Sequence, residues 1–212
     1  MLVAVCILLI LVVVSVLFRA LLSRGGTKND DVFMVVLGSG GHTAEMMQLL
    51  RSMEWEDHVV RCYVVAETDT LSEDKALAFE RMLGSGVGRG CVVERVSRSR
   101  EVGQSYITSV WTTLVALWSA LGIVMKHTPR VLLVNGPGTC LPLVVWCRVT
   151  SLLGLIAGGC RVFYVESIAR VDHVSLTGRL IYMFGLANGG FYVQWKELHE
   201  KLDKSVYAGR VY

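Results

Sequence analysis

The chain has 212 residues, enough for one domain of ordinary size with a substantial apolar core. Its formal net charge of +3 is too small to indicate nucleic acid as a partner, and its hydrophobic fraction of 53% is high for a purely soluble protein. The six cysteines show no Cys-x-x-Cys spacing, which argues against a zinc site, and several lie in apolar runs, which favours a reducing compartment.

The N-terminal segment predicts a membrane anchor. Leu2 to Phe18 is an uncharged run of 17 residues. As a helix it spans about 26 Å, and it can be extended if Arg19 snorkels. Positive charge follows the run rather than preceding it, so a signal peptide is disfavoured and the rest of the chain is expected in the cytosol. The predicted organisation is an anchor over 1–23, a linker over 24–31 and a cytosolic domain over 32–212.

Strand-like and helix-like segments alternate through the rest of the chain. Short apolar runs rich in β-branched residues predict strands, and apolar positions with a period near 3.6 predict helices. The predicted strands cover residues 32–37, 58–67, 91–96, 130–135, 161–165 and, as the final strand, 191–195. Predicted helices start at Thr43 and cover residues 70–83, 110–125, 141–156 and 175–186. This alternation predicts an α/β fold with a Rossmann-like, mainly parallel sheet.

Several local patterns refine these helices. Thr70 and Glu73 have capping-box spacing at the start of their helix. Segment 110–125 could be a core helix or a helix lying on the membrane surface, and Arg148 argues against a second membrane span in 141–156. Near the C-terminus, one helical face carries Leu176, Leu180 and Phe184.

The glycine loop after the first strand is a candidate phosphate site. A loop that feeds a helix N-terminus presents free N–H groups and the positive end of the helix dipole. The dinucleotide fingerprint would need a third glycine where Thr43 stands, and no Gly-Lys-Ser/Thr of a P-loop follows. His42, directly after the glycines, could reach the same ligand and exchange a proton with it. The alternative is a tight turn that packs a helix on the sheet.

Other polar groups also follow predicted strands directly, and we expect them at the same edge of the sheet. Arg98 and Arg100 could clamp phosphate, or could be solvated surface residues. Asn135 to Thr139 is a second glycine loop, or simply a strand-to-helix turn. Glu166 could act as a base or bind sugar hydroxyls, or could pair with Arg170. No Asp-x-Asp motif occurs, so a metal-held nucleotide diphosphate is not indicated.

Taken together, the motifs resemble one family. They are Gly38-Ser-Gly-Gly-His-Thr43, Ser97-Arg-Ser-Arg-Glu-Val102, Asn135-Gly-Pro-Gly-Thr-Cys140, Val165-Glu-Ser-Ile-Ala-Arg-Val171, Ser175-Leu-Thr-Gly178 and Val193-Gln-Trp195. In this order they resemble the membrane-anchor subunit of the eukaryotic two-chain UDP-N-acetylglucosamine transferase. Two departures are Lys196, where the family often has proline, and Ala187-Asn188, where an acidic residue often precedes the last strand.

The resemblance implies the acceptor-side half of a split GT-B glycosyltransferase. A soluble subunit would supply the donor-binding half and UDP-N-acetylglucosamine, and would dock at the cytosolic face of the endoplasmic reticulum. The pair would add the second N-acetylglucosamine to dolichyl-diphosphate-N-acetylglucosamine in N-glycan precursor synthesis, with no cofactor or metal in this chain. A similar bacterial peptidoglycan enzyme carries both halves in one chain, and its acceptor-side glycine loop also ends in His.

The residue patterns, together with that resemblance, assign roles to individual residues. His42 and Glu166 are the candidate catalytic residues. The predicted binding residues for the acceptor diphosphate and sugar are Gly38, Ser39, Gly40, Gly41, Thr43, Arg98, Arg100, Asn135, Gly136, Gly138 and Thr139. The apolar tail is predicted to dock the partner through Val206, Tyr207, Val211 and Tyr212, although it could instead pack on this chain's own sheet.

Two other functions stay open at this stage. The chain could be a non-catalytic membrane adaptor that only recruits a soluble enzyme. A membrane-anchored, nucleotide-dependent oxidoreductase is a further alternative, disfavoured by Thr43 at the third glycine position.

Overall fold

The structure is a computed structural model that describes residues 31–84, 90–97, 106–207 and 209–210. For residues 106–114 it describes the backbone only. The predicted anchor and nearly all of the linker lie outside the described residues, and so do Arg98, Arg100, Val211 and Tyr212. From Asp31 onward, no described helix combines the length and the apolar character that a bilayer span needs.

Strands and helices alternate as the sequence predicts. The strands are β1 Asp31–Val36, β2 Val59–Ala66, β3 Cys91–Val96, β4 Val131–Val134, β5 Arg161–Val165, β6 Gly190–Val193 and β7 Val206–Tyr207. The helices are α1 Gly41–Arg51, α2 Thr70–Met82, α3 Tyr106–His127, α4 Cys140–Leu152, α5 Leu176–Met183 and α6 Lys196–His199. The α/β prediction is therefore confirmed over the described part of the chain.

The strands form one sheet in the order β3-β2-β1-β4-β5-β6-β7, and each neighbouring pair is parallel. In the central register, Val35 lies opposite Tyr63 of β2 on one side and Leu133 of β4 on the other. The chain moves outward from β1 to β3 and then returns to β4. The order of strands thus reverses between β1 and β4, and in open parallel sheets ligands bind beyond the strand ends at such a point.

Helices pack on both faces of the sheet, and alternate strand residues point to opposite faces. On one face, α1 and α2 pack over the side chains of Val35, Tyr63 and Val65. On the other face, the apolar residues of α3, α4 and α5 pack against a second set of strand residues, including Met34, Val64, Leu132, Val134, Val162 and Tyr164. The described cysteines are buried free thiols within these layers, as the sequence predicts.

The start of α2 corrects one local prediction. Asp69, not Thr70, is the N-cap residue, and its carboxylate accepts a hydrogen bond from the Ser72 backbone N–H at 3.1 Å. Thr70 is the first helical residue. Aspartate is a strong N-cap in its own right, so it displaces the capping box expected with Glu73.

The C-terminal region differs from prediction in two further ways. The apolar α5 face is turned outward: Leu176 is 72% exposed and Phe184 67% exposed, whereas Gly178 and Ile181 pack inward. The strand predicted over 191–195 is not the last one. It ends at Val193, and after α6 the segment Val206–Tyr207 adds β7 to the sheet.

Segment 110–125, for which the sequence allowed a core helix or a helix on the membrane surface, lies within α3. From Ala116 to Met125 its inward residues are buried, with Ala120 and Val124 fully enclosed against the sheet. The described part of α3 is therefore a core helix, although Val115 and Trp118 on its outer side are 42% and 47% exposed.

Candidate functional site

The two glycine loops meet at the carboxyl edge of the sheet. A Cβ placed on Gly38 would lie 2.8 Å from the ring of Pro137, so the loop after β1 touches the loop after β4. The amide Nδ2 of Asn135 donates a hydrogen bond to the backbone carbonyl of His42 at 2.7 Å. The prediction that these loops share one edge is confirmed, with Glu166 at the end of the neighbouring strand β5.

A network of buried hydroxyl groups holds the inner side of the first glycine loop through hydrogen bonds. Thr43 Oγ1 donates a hydrogen bond to the Gly38 carbonyl and lies 2.7 Å from the hydroxyl of Ser72. Ser72 in turn bonds the Asp69 carboxylate at 2.7 Å. Thr43 is fully buried, so its side chain fixes the loop instead of facing the open edge where an acceptor would lie.

Two helices begin at this edge without a side-chain cap. The N-cap of α1 is Gly40, and Thr139 at the N-cap of α4 makes no capping bond within the described residues. By contrast, α2 and α5 are capped by Asp69 and Ser175. The first N–H groups of a helix have no acceptor inside it, so the uncapped start of α1 leaves donors available to an anion. In α4 the N–H groups of Cys140 and Leu141 donate to the carbonyls of Pro137 and Gly138, and Pro142 has no N–H.

The open side of the first loop is accessible. Gly40 has φ +65°, and a Cβ on Gly40 or Gly41 would meet nothing within 4 Å. Ser39, Gly40 and Gly41 are exposed, as is Gly138 in the second loop. A ligand can therefore approach the backbone of both loops closely.

Two unpartnered polar atoms lie between the loops. Nδ1 of His42 and Oδ1 of Asn135 are buried, and neither has a hydrogen-bond partner in the described part of the chain. Only Nε of Arg148 shares this property among the described side chains. Buried polar groups are normally satisfied, so two neighbouring exceptions at one edge indicate a site that a ligand or solvent completes.

The carboxylate of Glu166 is held by several donors. The backbone N–H groups of Ser167 and Ser175 donate to it at 3.1 and 2.9 Å. The hydroxyls of Tyr164 and Ser175 lie at 3.1 and 3.3 Å. Glu166 is completely buried, so these bonds fix the end of β5 to the start of α5.

Tyr164 remains a neutral hydrogen-bond donor in this arrangement. Burial, and then the nearby charge of Glu166, raise the pKa of the Tyr164 hydroxyl well above its ordinary value. Residue 178 must be glycine for the same reason of space. A Cβ on Gly178 would lie 2.5 Å from a Glu166 oxygen and 2.7 Å from the Tyr164 hydroxyl.

Gly136 is the point where these groups converge. Its φ is +106°, and a Cβ there would lie 3.3 Å from the Tyr164 hydroxyl, 3.4 Å from the His42 ring and 3.6 Å from the Glu166 carboxylate. The backbone of the second glycine loop thus separates the two candidate catalytic side chains. Both side chains therefore lie against the same loop backbone.

Cys140 at the start of α4 is not a nucleophile. It is fully buried, and burial raises the pKa of its thiol to about 12. The thiol therefore stays protonated at neutral pH, and thiolates rather than thiols are the reactive species.

Sequence reasoning assigned no role to several residues that build the site, although Ser175 and Gly178 stand in one of the motifs that carry the resemblance. Tyr164, Ser175 and Gly178 hold or accommodate Glu166, and Glu45 on α1 accepts a 2.7 Å hydrogen bond from the hydroxyl of Ser167. A signal for Ser175 was present, since serine before a helical run is a typical N-cap. No sequence pattern marked Tyr164 as a site residue, because tyrosine is common in β-strands.

The predicted docking residues that the structure describes lie on the edge strand β7. Val206 and Tyr207 are 45% and 47% exposed, and both pair through the backbone with β6. The Arg210 guanidinium lies 4.9 Å from the centre of the Trp195 ring. The segment is thus part of this chain's sheet and still presents apolar side chains to solvent.

Comparison with known proteins decides the family. The model of the family described as "Oligosaccharide biosynthesis protein Alg14 like" matches residues 33–211. The chain belongs to the Alg14 family. It is 38% identical to the human UDP-N-acetylglucosamine transferase subunit ALG14 over 182 residues, which are 84% of this chain and 82% of that protein. The Schizosaccharomyces pombe subunit of the same name is 33% identical over 211 residues, covering 98% of this chain and 96% of the relative.

A solved structure shows the same fold. MurG from Acinetobacter baumannii matches with a TM-score of 0.56 at 14% identity, over 85% of this chain. The match covers 45% of the MurG chain, so this Alg14 family member spans just under half of that protein's length.

Proposed function

We propose that this chain is the acceptor-binding, membrane-anchoring subunit of a two-chain UDP-N-acetylglucosamine transferase of the endoplasmic reticulum. As a member of the Alg14 family it is a transferase subunit of oligosaccharide biosynthesis. The observation that carries the acceptor assignment is the uncapped start of α1, which meets the second glycine loop beside His42 at the sheet edge. Free N–H donors at a helix start suit a phosphate group of the acceptor.

The proposed acceptor is dolichyl-diphosphate-N-acetylglucosamine. Its diphosphate would rest on the loop backbones at Ser39 to Gly41 and at Gly138, where there is room for close approach. Arg98 and Arg100, outside the described residues, are proposed to add charge-assisted contacts to the same phosphates. Losing one such contact costs on the order of 1.5–3 kcal/mol, so Arg98→Ala should reduce acceptor use about tenfold or more.

His42 is the favoured base for this reaction. Attack by the acceptor's sugar hydroxyl on the donor sugar requires removal of the hydroxyl proton. Glu166 is fully enclosed and already accepts hydrogen bonds from Tyr164, Ser167 and Ser175, so a substrate hydroxyl could reach it only by displacing them. The His42 ring is only partly buried and lies at the junction of both loops. His42 would take the proton while Glu166 fixes the end of β5 to the start of α5.

The donor half is proposed to come from a soluble partner subunit. This chain corresponds to less than half of MurG, and its relatives are named as subunits. In the GT-B arrangement the partner would bring UDP-N-acetylglucosamine to the carboxyl edge of this sheet. Anchoring through residues 2–22, with the domain in the cytosol, would place the site near its lipid acceptor.

The proposal is tested by reconstitution. The full chain is co-expressed with the soluble Alg14-partner subunit of the same organism, purified from membranes, and supplied with UDP-N-acetylglucosamine and the lipid-diphosphate acceptor. We expect transfer of one N-acetylglucosamine that needs both chains. No transfer by a complex that co-purifies would overturn the function.

The same preparation separates a catalytic subunit from a mere adaptor. His42→Ala should keep the soluble partner on the membrane while transfer falls. If transfer is unchanged in that variant and in Arg98→Ala, the chain acts only as an adaptor. Protease added outside sealed microsomes checks the topology, since a cytosolic domain is digested and a lumenal one is protected.

A further inference from the structure

The side-chain amide of Asn135 offers two different atoms at the junction of the glycine loops. Its Nδ2 donates to the His42 carbonyl at 2.7 Å, and this bond assigns the orientation of the amide, because the reverse orientation would place two acceptor oxygens together. The other branch, Oδ1, is a buried acceptor that has no partner among the described residues. Asn135 is 1% exposed, so Oδ1 cannot rely on bulk water for a hydrogen bond.

The two ring nitrogens of His42 have different surroundings. Nδ1 is buried and makes no hydrogen bond within the described part of the chain, whereas Nε2 is not one of the buried unpartnered atoms. Because the side chain is only partly buried, Nε2 lies on the side of the ring that a substrate can reach. A Cβ on Gly136 would lie 3.4 Å from Cε1, the ring carbon between the two nitrogens. The ring therefore lies against the backbone next to Asn135.

A histidine base requires one particular tautomer. The nitrogen that takes the substrate proton must carry a lone pair, so the other nitrogen of the neutral ring carries a hydrogen and needs an acceptor. In enzymes with a histidine base, a third side chain commonly supplies that acceptor, and asparagine fills this role in some of them. At this sheet edge the donor position is Nδ1 of His42 and the buried acceptor is Oδ1 of Asn135.

We propose that Asn135 is a positioning residue for His42: Oδ1 accepts a hydrogen bond from Nδ1–H and leaves Nε2 free to act as the base. The inference rests on the proposed function, in which His42 takes the proton. The two atoms are not bonded in the structure as it stands, and the bond forms when the acceptor binds, since catalytic hydrogen bonds often tighten only in the substrate complex. During transfer the acceptor oxygen bonds the donor sugar carbon, UDP leaves with the electron pair, and the hydroxyl proton moves to Nε2.

The other titratable groups at this edge have different partners. On β5, Tyr164 donates to Glu166 at 3.1 Å. Glu45, one turn further along α1 than the histidine, accepts a hydrogen bond from the loop after β5 at 2.7 Å. The Cys140 thiol at the start of α4 is fully buried. Among the buried side-chain oxygens that the structure describes, Oδ1 of Asn135 is the one without a donor.

Two substitutions at position 135 separate the role of Oδ1 from that of Nδ2. Asn135→Ala and Asn135→Asp both remove the donor to the His42 carbonyl, but Asn135→Asp keeps an acceptor oxygen. In the reconstituted complex both variants should raise the acceptor KM, and kcat should fall about tenfold or more in Asn135→Ala only. The acidic limb of the pH profile should move up by about one pH unit or more in Asn135→Asp, because a nearby carboxylate favours protonated imidazole.

Asn188→Asp is the matched control, since it adds the same charge at the opposite edge of the sheet and should leave the acidic limb in place. Thermal unfolding of each full-length variant in detergent confirms that it is folded. Equal kcat values and equal acidic limbs in Asn135→Ala and Asn135→Asp would mean that Asn135 only joins the loops, and this result would overturn the proposal.

The tautomer of His42 provides a readout that does not depend on transfer. The full chain with isotope-labelled histidine is mixed in detergent with a short-chain lipid-diphosphate-N-acetylglucosamine, and NMR detects the ring nitrogens above the pH of the acidic limb. The His42 signals are identified by their loss in His42→Ala. We expect Nδ1–H in wild type and in Asn135→Asp, and a loss of this preference in Asn135→Ala.

The outcomes separate this inference from the function on which it rests. Nε2–H in wild type, or one unchanged tautomer in all three chains, would overturn the role of Asn135 even if the complex is fully active. If the wild-type complex transfers no N-acetylglucosamine, the proposed function fails. If it transfers the sugar while neither the tautomer nor the pH profile responds to position 135, only this inference fails.

Discussion

Asn135 donates its side-chain amide to the backbone carbonyl of His42 at 2.7 Å and so joins the two glycine loops. The bond crosses from the loop after β4 to the start of α1, at the point where the strand order reverses. Asn135 is 1% exposed, and its Oδ1 has no partner within the described residues. One buried side chain therefore fixes the second glycine loop to the start of α1.

Asn135→Ala should damage the site more than the fold. The change removes the hydrogen bond to the His42 carbonyl, and such a bond contributes about 0.5–1.5 kcal/mol. We expect a several-fold higher KM for the acceptor, measured in the reconstituted complex. Asn188→Ala is the control, since Asn188 also bridges backbone groups, at Val162 N and Cys160 O, but at the opposite edge. Equal acceptor KM values for the two variants would contradict the role of Asn135.

Gly136→Ala should abolish most of the activity. Its φ of +106° strains any other residue by roughly 1–3 kcal/mol, and the new methyl group would press on Tyr164, His42 and Glu166. Gly154→Ala is the matched variant: its φ is +67°, and its Cβ would meet nothing within 4 Å. Both variants should lower the melting temperature, and only Gly136→Ala should lower kcat by tenfold or more. A comparable loss of kcat in Gly154→Ala would mean that general instability is responsible.

Variants of His42 and Glu166 should differ in their pH profiles. A general base supplies about 10²–10⁴-fold, so His42→Ala should lose turnover at saturating substrates together with the acidic limb of the profile. Glu166→Gln replaces an acceptor that Ser167 and Ser175 both use, so it should weaken acceptor binding and keep the acidic limb. The roles are exchanged if the limb disappears in Glu166→Gln and persists in His42→Ala. Wild-type turnover in both variants would place the base on the partner.

Acid should weaken the packing of α3 on β3. Burial alone would raise the pKa of Glu94, but hydrogen bonds from Lys126 and His127, each 2.7 Å long, outweigh it and lower that pKa. A carboxylate with a lowered pKa stabilises the fold above its unfolded pKa, and this contribution is lost as the pH falls from about 5 towards 3.

Thermal unfolding over that pH range measures the effect. Glu94→Gln should be less stable by about 1 kcal/mol at pH 7, and the difference from wild type should shrink in acid. The control is Glu200→Gln, because Glu200 pairs with Lys196 at 4.0 Å in an exposed position and should contribute little. A constant difference between Glu94→Gln and wild type at all pH values would contradict the assignment.

The strands and the position of the loops could be read from the sequence. The strands predicted over 91–96 and 161–165 match β3 and β5 residue for residue, because each is short and rich in β-branched or aromatic residues. The common edge of the glycine loops followed from the parallel order alone.

What could not be predicted depends on tertiary contacts. β7 has two residues, too few for any periodic pattern, and forms only because β6 offers an unpaired edge. The inward face of α5 is set by the need for Gly178 beside Glu166, which outweighs the apolar pattern of Leu176 and Phe184. Thr43 looked like a ligand contact because it follows the glycines, whereas its hydroxyl binds the Gly38 carbonyl beneath them.

Binding of the acceptor to this chain alone tests the central claim most directly. The full chain, purified in detergent without its partner, is titrated with a short-chain lipid-diphosphate-N-acetylglucosamine and, separately, with UDP-N-acetylglucosamine. Because the two glycine loops and His42 all belong to this chain, we predict saturable binding of the lipid diphosphate, weakened at least tenfold by Gly136→Ala, and no binding of the nucleotide sugar. Saturable binding of UDP-N-acetylglucosamine, with none of the lipid diphosphate, would contradict the account.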